Sequence, residues 1–321
     1  MDIGDIAGLA QIRDDPLNPT IFHERWWLIA ASDGKYEEIS VSAGGRVVGR
    51  FPFVVDRVLP GFTLCGMPEL SHFLGPAIDA GSGSAANRAL RRDRILRELL
   101  EKLPSTTGLY QKLHSGFSDT LVFQELGYRT MVQFTYEIAP APLPAIWAGM
   151  RDKTRNAIRS AQGRYRIAET PDPTRFAALY GANLRDRGST NHYRVIRQLC
   201  EAALWHDRGR IILAFSGDGR PAAGVFYVWD TRAAYYLLST RNEHAGNAVS
   251  LLIWQVIQDC ATQGLIFDFD GVATPGSRVF YTGFGGQVKP RYIVSRYSLG
   301  HRIAGRLSNP FRLPTKHSYQ W

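Results

Sequence analysis

The sequence predicts an α/β fold made of two tandem halves, each a mixed, mostly antiparallel sheet flanked by helices. Two hairpin-like segments, and the order of the elements that follow them, carry that prediction. From Glu38 to Val55 the chain reads EISVSAGGRVVGRFPFVV, and from Ile211 to Trp229 it reads IILAFSGDGRPAAGVFYVW. Each segment has an apolar β-rich run, a glycine-containing turn ending in Gly-Arg, and a second apolar run. Glycine in such a turn supplies the positive φ angles that tight hairpin loops use.

The elements after each hairpin also correspond. After the first come further strand-like segments, a helix-like stretch from about Ala85 to Leu103, a short apolar strand in TGLYQKL, and then SDTLVFQELGY. After the second come AAYYLLST, a helix-like VSLLIWQVIQDCATQ, a strand LIFDFD, and then SRVFYTGFGG. Hairpin, strand, helix, strand and a short helix with an aromatic-glycine ending therefore recur in one order, which is the mark of an internal duplication. The join is expected in IAPAPLPAIW, Ile138 to Trp147, whose prolines resist helix and suit a connector. This divides the chain into an N-terminal half, residues 1–140, and a C-terminal half, residues 141–321.

Composition narrows the function classes. Hydrophobic residues make up 45% of the 321 and charged residues 21%, values of an ordinary globular chain. No apolar run reaches the ~18–20 residues of a membrane span. The beginning, MDIGDIAGLAQIRDD, lacks the basic and apolar regions of a signal peptide. Cys65, Cys200 and Cys260 are far apart and form no CxxC, so neither disulfides nor a thiolate zinc site is expected, and a reducing cytoplasm is the expected location. The net charge of +9 fits either a solvated basic surface or a polyanionic partner such as nucleic acid, a phosphorylated cofactor or an anionic lipid surface. The histidines show no HExxH spacing, and the chain has neither a GxxxxGK[ST] loop nor a GxSxG elbow.

Just after the expected join lies WAGMRDKTRNAIRSAQGRYRIAET. Trp147, Met150, Ile158 and Ala161 fall at partly helical spacing. Arg151, Arg155 and Arg159, four apart, share a face with Asp152 as the only acid within the stripe, and Lys153, Arg164 and Arg166 add charge. The segment reads as an anion-contacting helix or as a solvated helix face.

The C-terminal copy of the repeat ends in Phe280-Tyr281-Thr282-Gly283-Phe284-Gly285, and the N-terminal copy in Phe123-Gln124-Glu125-Leu126-Gly127-Tyr128. This ending resembles the last helix of the GNAT acyltransferase unit. A duplicated unit with RNAIRSA and a late FDFDG…GFGG is similar to the FemAB-like acyltransferases, over nearly the whole chain from Phe22 to about Tyr297. The resemblance implies transfer of an acyl group, in several members an amino acid from aminoacyl-tRNA, onto an amine. Two features depart from the family patterns. Peptidoglycan-building members tend to carry lysine where Tyr281 stands. The place of the GNAT pyrophosphate loop reads Glu243-His244-Ala245-Gly246-Asn247-Ala248, with an acid in its first position, and like charge there opposes a CoA pyrophosphate.

Acyl transfer to an amine needs a proton acceptor, charge stabilisation and a proton for the leaving group. Asp268 and Asp270 lie two apart on the expected strand LIFDFD, so both face one side, ~6–7 Å apart, while Phe267 and Phe269 face the core. They are expected to orient and deprotonate the amine; the alternative is that they cap the following turn. Tyr281, a phenol of ordinary pKa ~10, is the expected acid, and a packed aromatic is the alternative. Its counterpart in the first half is Gln124, which assigns the active copy to the C-terminal half. Arg155, Arg159 and Lys153 are expected to hold a phosphate or carboxylate. Arg278 lies three residues before Tyr281 and shares its expected helix, as a bidentate contact to a phosphate or carboxylate or as a surface arginine. Asn247 and Ser250, at the start of the helix after AAYYLLST, are expected to line the donor site, with capping as the alternative, and Phe284 of the motif is a further expected binding residue. In FHERWW, Trp26 beside His23 and Trp27 reads as a ligand contact or as core and interface material. His72 in SHFLGP and His192 in RGSTNHYR each sit in a polar stretch as acceptor contacts or as satisfied loop histidines.

The expected function is thus transfer of an acyl or aminoacyl group from an activated carrier to a small-molecule or peptide amine by direct attack. Aminoacyl-tRNA is favoured as donor over acyl-CoA, and no tightly bound cofactor or metal is expected. The reading from another class is a non-catalytic module whose basic groove holds RNA or glycan.

Overall fold

The structure of the protein, a computed structural model, describes residues 15–183, 190–272 and 274–300. In chain order a 3-10 turn at Ile21–His23 leads into α1 (Arg25–Ser32), β1 (Glu37–Ala43), β2 (Arg46–Leu59), β3 (Phe62–Gly66) and β4 (Ala77–Ile78). Then come α2 (Ala85–Glu101), β5 (Gly108–Lys112), α3 (Leu121–Glu125) and β6 (Arg129–Ile138). The chain continues with α4 (Leu143–Gly149), α5 (Asp152–Gln162), β7 (Arg166–Glu169), α6 (Pro173–Asn183) and α7 (Thr190–Trp205). It closes with β8 (Gly209–Phe215), β9 (Pro221–Trp229), β10 (Ala233–Arg241), α8 (Ala248–Gln263), β11 (Ile266–Asp268), α9 (Pro275–Gly283) and β12 (Gln287–Tyr297).

Both expected hairpins form. β1 pairs antiparallel with β2 across Gly44 and Gly45, both at positive φ, and β8 pairs antiparallel with β9. The strands join one continuous sheet in the order β1-β2-β3-β5-β12-β6-β11-β10-β9-β8-β7, with β4 against β2. Its ladders are antiparallel except β3–β5 and β10–β11. Strands from the two sides of the expected join interleave: β12 lies between β5 and β6, and β6 pairs on its other edge with β11.

The apolar patterning explains the layers. In α2 the side chains of Ile95, Leu96, Leu99 and Leu100 are buried, at helical spacing, while Ser84 caps the first turn by accepting from Asn87 N at 3.2 Å. In α8, apolar nearly all round, nine residues are buried, and the helix forms the floor of one core cluster with Phe267, Phe269, Tyr281 and Phe284. A second cluster packs α1, α6 and α7 against the other face of β8–β10, and a third lies under α2.

Several local expectations change. The proline-rich join is partly helical, because Pro144 sits in the first turn of α4, where its missing N–H costs nothing. The basic segment is two helices, broken at Met150 and Arg151, whose backbones are extended. Arg151 is the residue before α5 and so does not share a helical face with Arg155 and Arg159. Pro275-Gly276 opens α9, and Thr274 caps it by accepting from Ser277 N at 3.0 Å.

Candidate active site

The parallel ladder between β10 and β11 is short. It pairs Ala233, Ala234 and Tyr235 with Ile266, Phe267 and Asp268, and then the two strands part. β10 also slips register against β9 between Tyr236 and Leu238. Buried aromatic rings pack beside the gap: Tyr236 lies 6.3 Å from Phe269, which stacks on Tyr281 at 4.3 Å with the planes 29° apart. The N-terminus of α8 follows β10, and Gly246 before it has φ +50°.

Asp268 and Asp270 stand beside this fork, but not as a strand pair. β11 ends at Asp268, and Asp270 takes φ +62°, an uncommon and costly backbone conformation for a non-glycine residue. The two carboxylates therefore point to different partners. Phe267 and Phe269 are buried in the core, as expected.

Asp268 is 1% exposed and fully engaged. Its Oδ1 accepts from Thr135 Oγ1 at 2.5 Å and from the backbone N–H of Asp270 at 2.7 Å. Its Oδ2 accepts from Arg291 Nη2 at 2.5 Å, and the same nitrogen reaches Glu137 Oε1 at 2.8 Å. Thr135 Oγ1 in turn accepts from Gly271 N at 3.0 Å. This network over-determines the chain from Asp268 to Gly271 and holds Asp270 in its strained conformation.

Asp270 is 5% exposed, and its Oδ2 lies against Nδ1 of the buried His72. Burial pushes its carboxyl above the usual range; the Asp268 charge adds to the rise, while His72 and Lys112 oppose it. Burial likewise lowers the Lys112 ammonium, against the pull of Asp270. His72 comes from the loop after β3 and Lys112 from the end of β5, so the N-terminal part of the chain completes a cluster begun on β11.

Tyr281 is 5% exposed. Burial raises its phenol well above the ordinary value, with the neighbouring Tyr236 and Asp270 adding to the rise and Ser277 opposing it. Phe284, 1% exposed, packs on Phe269 and Phe280 and offers the core an aromatic ring rather than the gap a contact.

The glycines of GFGG have a packing reason. α4 and α5 come so close to α9 that a Cβ on Gly283 would meet Thr154 Oγ1 at 2.5 Å. One on Gly285, at φ +83°, would meet the Gly149 carbonyl oxygen at 3.0 Å. Arg151 N donates to Gly283 O at 3.0 Å across the same contact. The chain just before RNAIRSA thus touches GFGG.

The basic residues divide. Arg155 turns its guanidinium back onto the end of α4, donating to Trp147 O, Ala148 O and Met150 O at 3.3, 3.0 and 2.7 Å and pairing with Asp152. It fastens a turn. Arg159 is exposed, 5.4 Å from the Trp147 ring, with Nη1 3.2 Å from Asn156 Oδ1, and Lys153 is exposed on the same helix. Arg278 is exposed while Tyr281 is buried, so the two do not share an environment. Asn247 is exposed at the α8 N-cap with no side-chain capping bond, and Ser250 is buried one turn later. Trp26 stands elsewhere, half-buried against His206 on a cavity beside the β9–β10 turn. His192 falls within α7, but its side chain lies outside the described residues.

From the sequence His72 reads as an acceptor contact or a satisfied loop histidine, not as a partner of Asp270, and Lys112, Thr135, Glu137 and Arg291 are missed. These residues belong to β5, β6 and β12, and only the interleaved strand order brings them to β11.

Known proteins share parts of this fold. Residues 148–276 match the family described as Acetyltransferase (GNAT) domain. A comparison with curated proteins found no match. Among solved structures, the crystal structure of FemX superposes with a TM-score of 0.61 at 13% identity, covering 87% of this chain and 92% of that one. The C-terminal domain of a putative lysylphosphatidylglycerol synthetase from Agrobacterium fabrum gives 0.53 at 13% identity, covering 84% and 87%. A tandem GNAT protein from the clavulanic acid biosynthesis pathway gives 0.50 at 13% identity, covering 82% of each chain. The solved structures carry a likeness of fold alone and the family match carries the class: residues 148–276 bear a GNAT acetyltransferase domain, the fold is a duplicated GNAT fold, and the chain is an acyltransferase.

Proposed function

We propose that the protein moves an acyl or aminoacyl group from an activated carrier to an amine by direct attack, with Asp270 as the proton acceptor. One observation carries this reading: a buried carboxylate, raised by its surroundings, is held in a strained backbone conformation against His72 at the fork between β10 and β11. Asp268 is a positioning residue, since both of its oxygens are already committed. The amine nitrogen forms the new bond to the donor's carbonyl carbon and loses its proton to Asp270. The bond from that carbon to the carrier's oxygen or sulfur breaks. The departing atom takes the phenolic proton of Tyr281, whose raised pKa keeps it protonated until then.

Aminoacyl-tRNA is the favoured donor. The net charge of +9, the exposed Lys153 and Arg159, and the acidic Glu243 in the loop before α8 all support it. One feature favours acyl-CoA instead: the sixteen-residue α8 opens just after β10 in the chain, and a helix start holds phosphate on its backbone N–H groups without a side-chain cation. The acceptor is a small-molecule or peptide amine.

Binding and single-turnover transfer separate the donors. The protein is mixed with acetyl-CoA and, separately, with charged and uncharged tRNA pools at low and moderate salt. Preference for charged tRNA, weakening steeply with salt, supports the aminoacyl donor. Saturable CoA binding with acetyl transfer to amines assigns acyl-CoA. Neither transfer nor donor preference, with RNA bound equally in both charging states, would replace an enzyme by a binding module.

A further inference from the structure

Away from the fork, at the other end of β10, the structure holds a cavity of about 810 Å³. That volume lies within the ~300–1,000 Å³ of small-molecule sites. Its wall is assembled from distant segments: the chain before α1, the start of α1, the stretch after β4, the α7–β8 connection and the β9–β10 turn. None of these lining residues is used in the transfer reaction above.

The charges on the wall fall into two kinds. Asp230 is committed to the fold: it accepts from Ile21 N, Arg232 N, Ala233 N and Tyr235 Oη. Asp15 accepts from Leu17 N and Asn18 Nδ2, and Asp79 from Gly81 N. Glu24 is different. It is half-buried at the start of α1, and among the described residues its carboxylate has neither a hydrogen bond nor an ion pair. Burial raises its pKa, and Arg208 pulls against that from a distance without pairing. The guanidinium groups of Arg208 and Arg232 are likewise without a hydrogen bond or ion pair among the described residues. The cavity therefore keeps uncommitted groups of both signs. Between them stands an aromatic wall: Trp26, stacked on His206 at 4.6 Å with the planes 16° apart, and the buried Trp229.

Unpaired groups of opposite sign fit a ligand that carries both an ammonium and a carboxylate. Four carboxylates line the cavity against two guanidiniums, in a chain whose net charge is +9, so the local field favours a ligand of net positive charge. The indole face of Trp26 adds attraction for a cation. We propose that this cavity binds a cationic amino acid, or a short peptide bearing one, with a free carboxylate: Glu24 receives an ammonium, Arg208 receives the carboxylate, and Trp26 covers the side chain.

The test is a fluorescence titration of the full chain, since two tryptophans form the wall, with calorimetry as a second readout. The probes are L-lysine, L-lysinamide and L-glutamate. Lysine is expected to bind saturably, with lysinamide and glutamate weaker by about tenfold, the worth of one charged hydrogen bond. Glu24→Gln should weaken lysine by about tenfold, and Arg208→Gln should remove the preference for lysine over lysinamide. Equal binding of lysine, lysinamide and glutamate to the unaltered protein would overturn the proposal without recourse to a variant, as would no saturable signal with lysine. The titration contains no acyl donor, so failure here leaves the transfer reading untouched, and failure of transfer leaves this site untouched.

Discussion

Asp270 is where the residue-scale chemistry concentrates. A base acts as its carboxylate, and burial has raised the Asp270 carboxyl, so its active form is present above that raised pKa and is lost as pH falls through it. The turnover rate is therefore expected to fall on the acid side of the profile at a higher pH than an ordinary carboxylate would give. Asp270→Asn should abolish that limb and cost ~10²–10⁴ in rate, read by steady-state kinetics with a thermal melt as the control for folding. Tyr281→Phe should lower kcat by about a hundredfold or more and leave KM nearly unchanged, because it removes a proton needed only as the leaving group departs. An unchanged kcat would remove Tyr281 from the mechanism. Arg291 has a structural task. It sits 10% exposed between Asp268 and Glu137, and Arg291→Met would leave the buried Asp268 and the half-buried Glu137 without their cation. We expect a loss of ~3–5 kcal/mol in denaturant unfolding, as for other buried pairs broken on one side. Asp268 and Asp270 were legible in the sequence as a pair of acids near glycines, but their division of labour was not. It follows from one positive φ angle and from partners on three other strands.

At the scale of elements, the α4–α5 turn and the end of α9 form one tight joint. Gly283→Ala would drive a methyl group to 2.5 Å from Thr154 Oγ1. The expected cost is ~1–3 kcal/mol, the usual range for overpacking. Thr154→Ala in the same chain should return part of it, and a double-mutant cycle by chemical denaturation measures that coupling. Additive losses would mean that the two helices do not meet there. The pieces RNAIRSA and GFGG could be noticed together in the sequence, but the contact of GFGG with the turn just before RNAIRSA could not be read from it. The same limit applies to Arg155. Its spacing suggested an outward basic face, whereas its guanidinium closes the carbonyl end of α4. Spacing fixes a direction around a helix axis, and a long side chain can still fold back along it.

For the whole molecule, the interleaving of β5, β12, β6 and β11 means that each expected half lacks a central strand when taken alone. A fragment of residues 141–321 would present β11 and β12 with no β6 between them, and a fragment of residues 1–140 would leave β5 and β6 apart. Neither fragment is expected to melt cooperatively by itself, and co-expression of the two should restore a cooperative transition. A cooperative melt from the isolated C-terminal fragment would show that the exchange is dispensable. The same interleaving assembles the candidate site, because it brings Thr135, Glu137 and Arg291 alongside Asp268.

By itself the sequence determined what local periodicity and composition can carry: both hairpins, the apolar helices α2 and α8, the burial of Phe267 and Phe269, and the duplicated order of elements. These depend on side-chain alternation and on turn residues within a few positions of one another. Only the tertiary structure decided that β6 and β12 cross between the halves, that Asp270 leaves its strand to meet His72, and that Arg291 joins Asp268. Those pairings link residues more than 20 positions apart, up to 198 for His72 with Asp270. Their geometry is set by strand exchange and by the need to satisfy buried charges, and neither leaves a local signature in the chain.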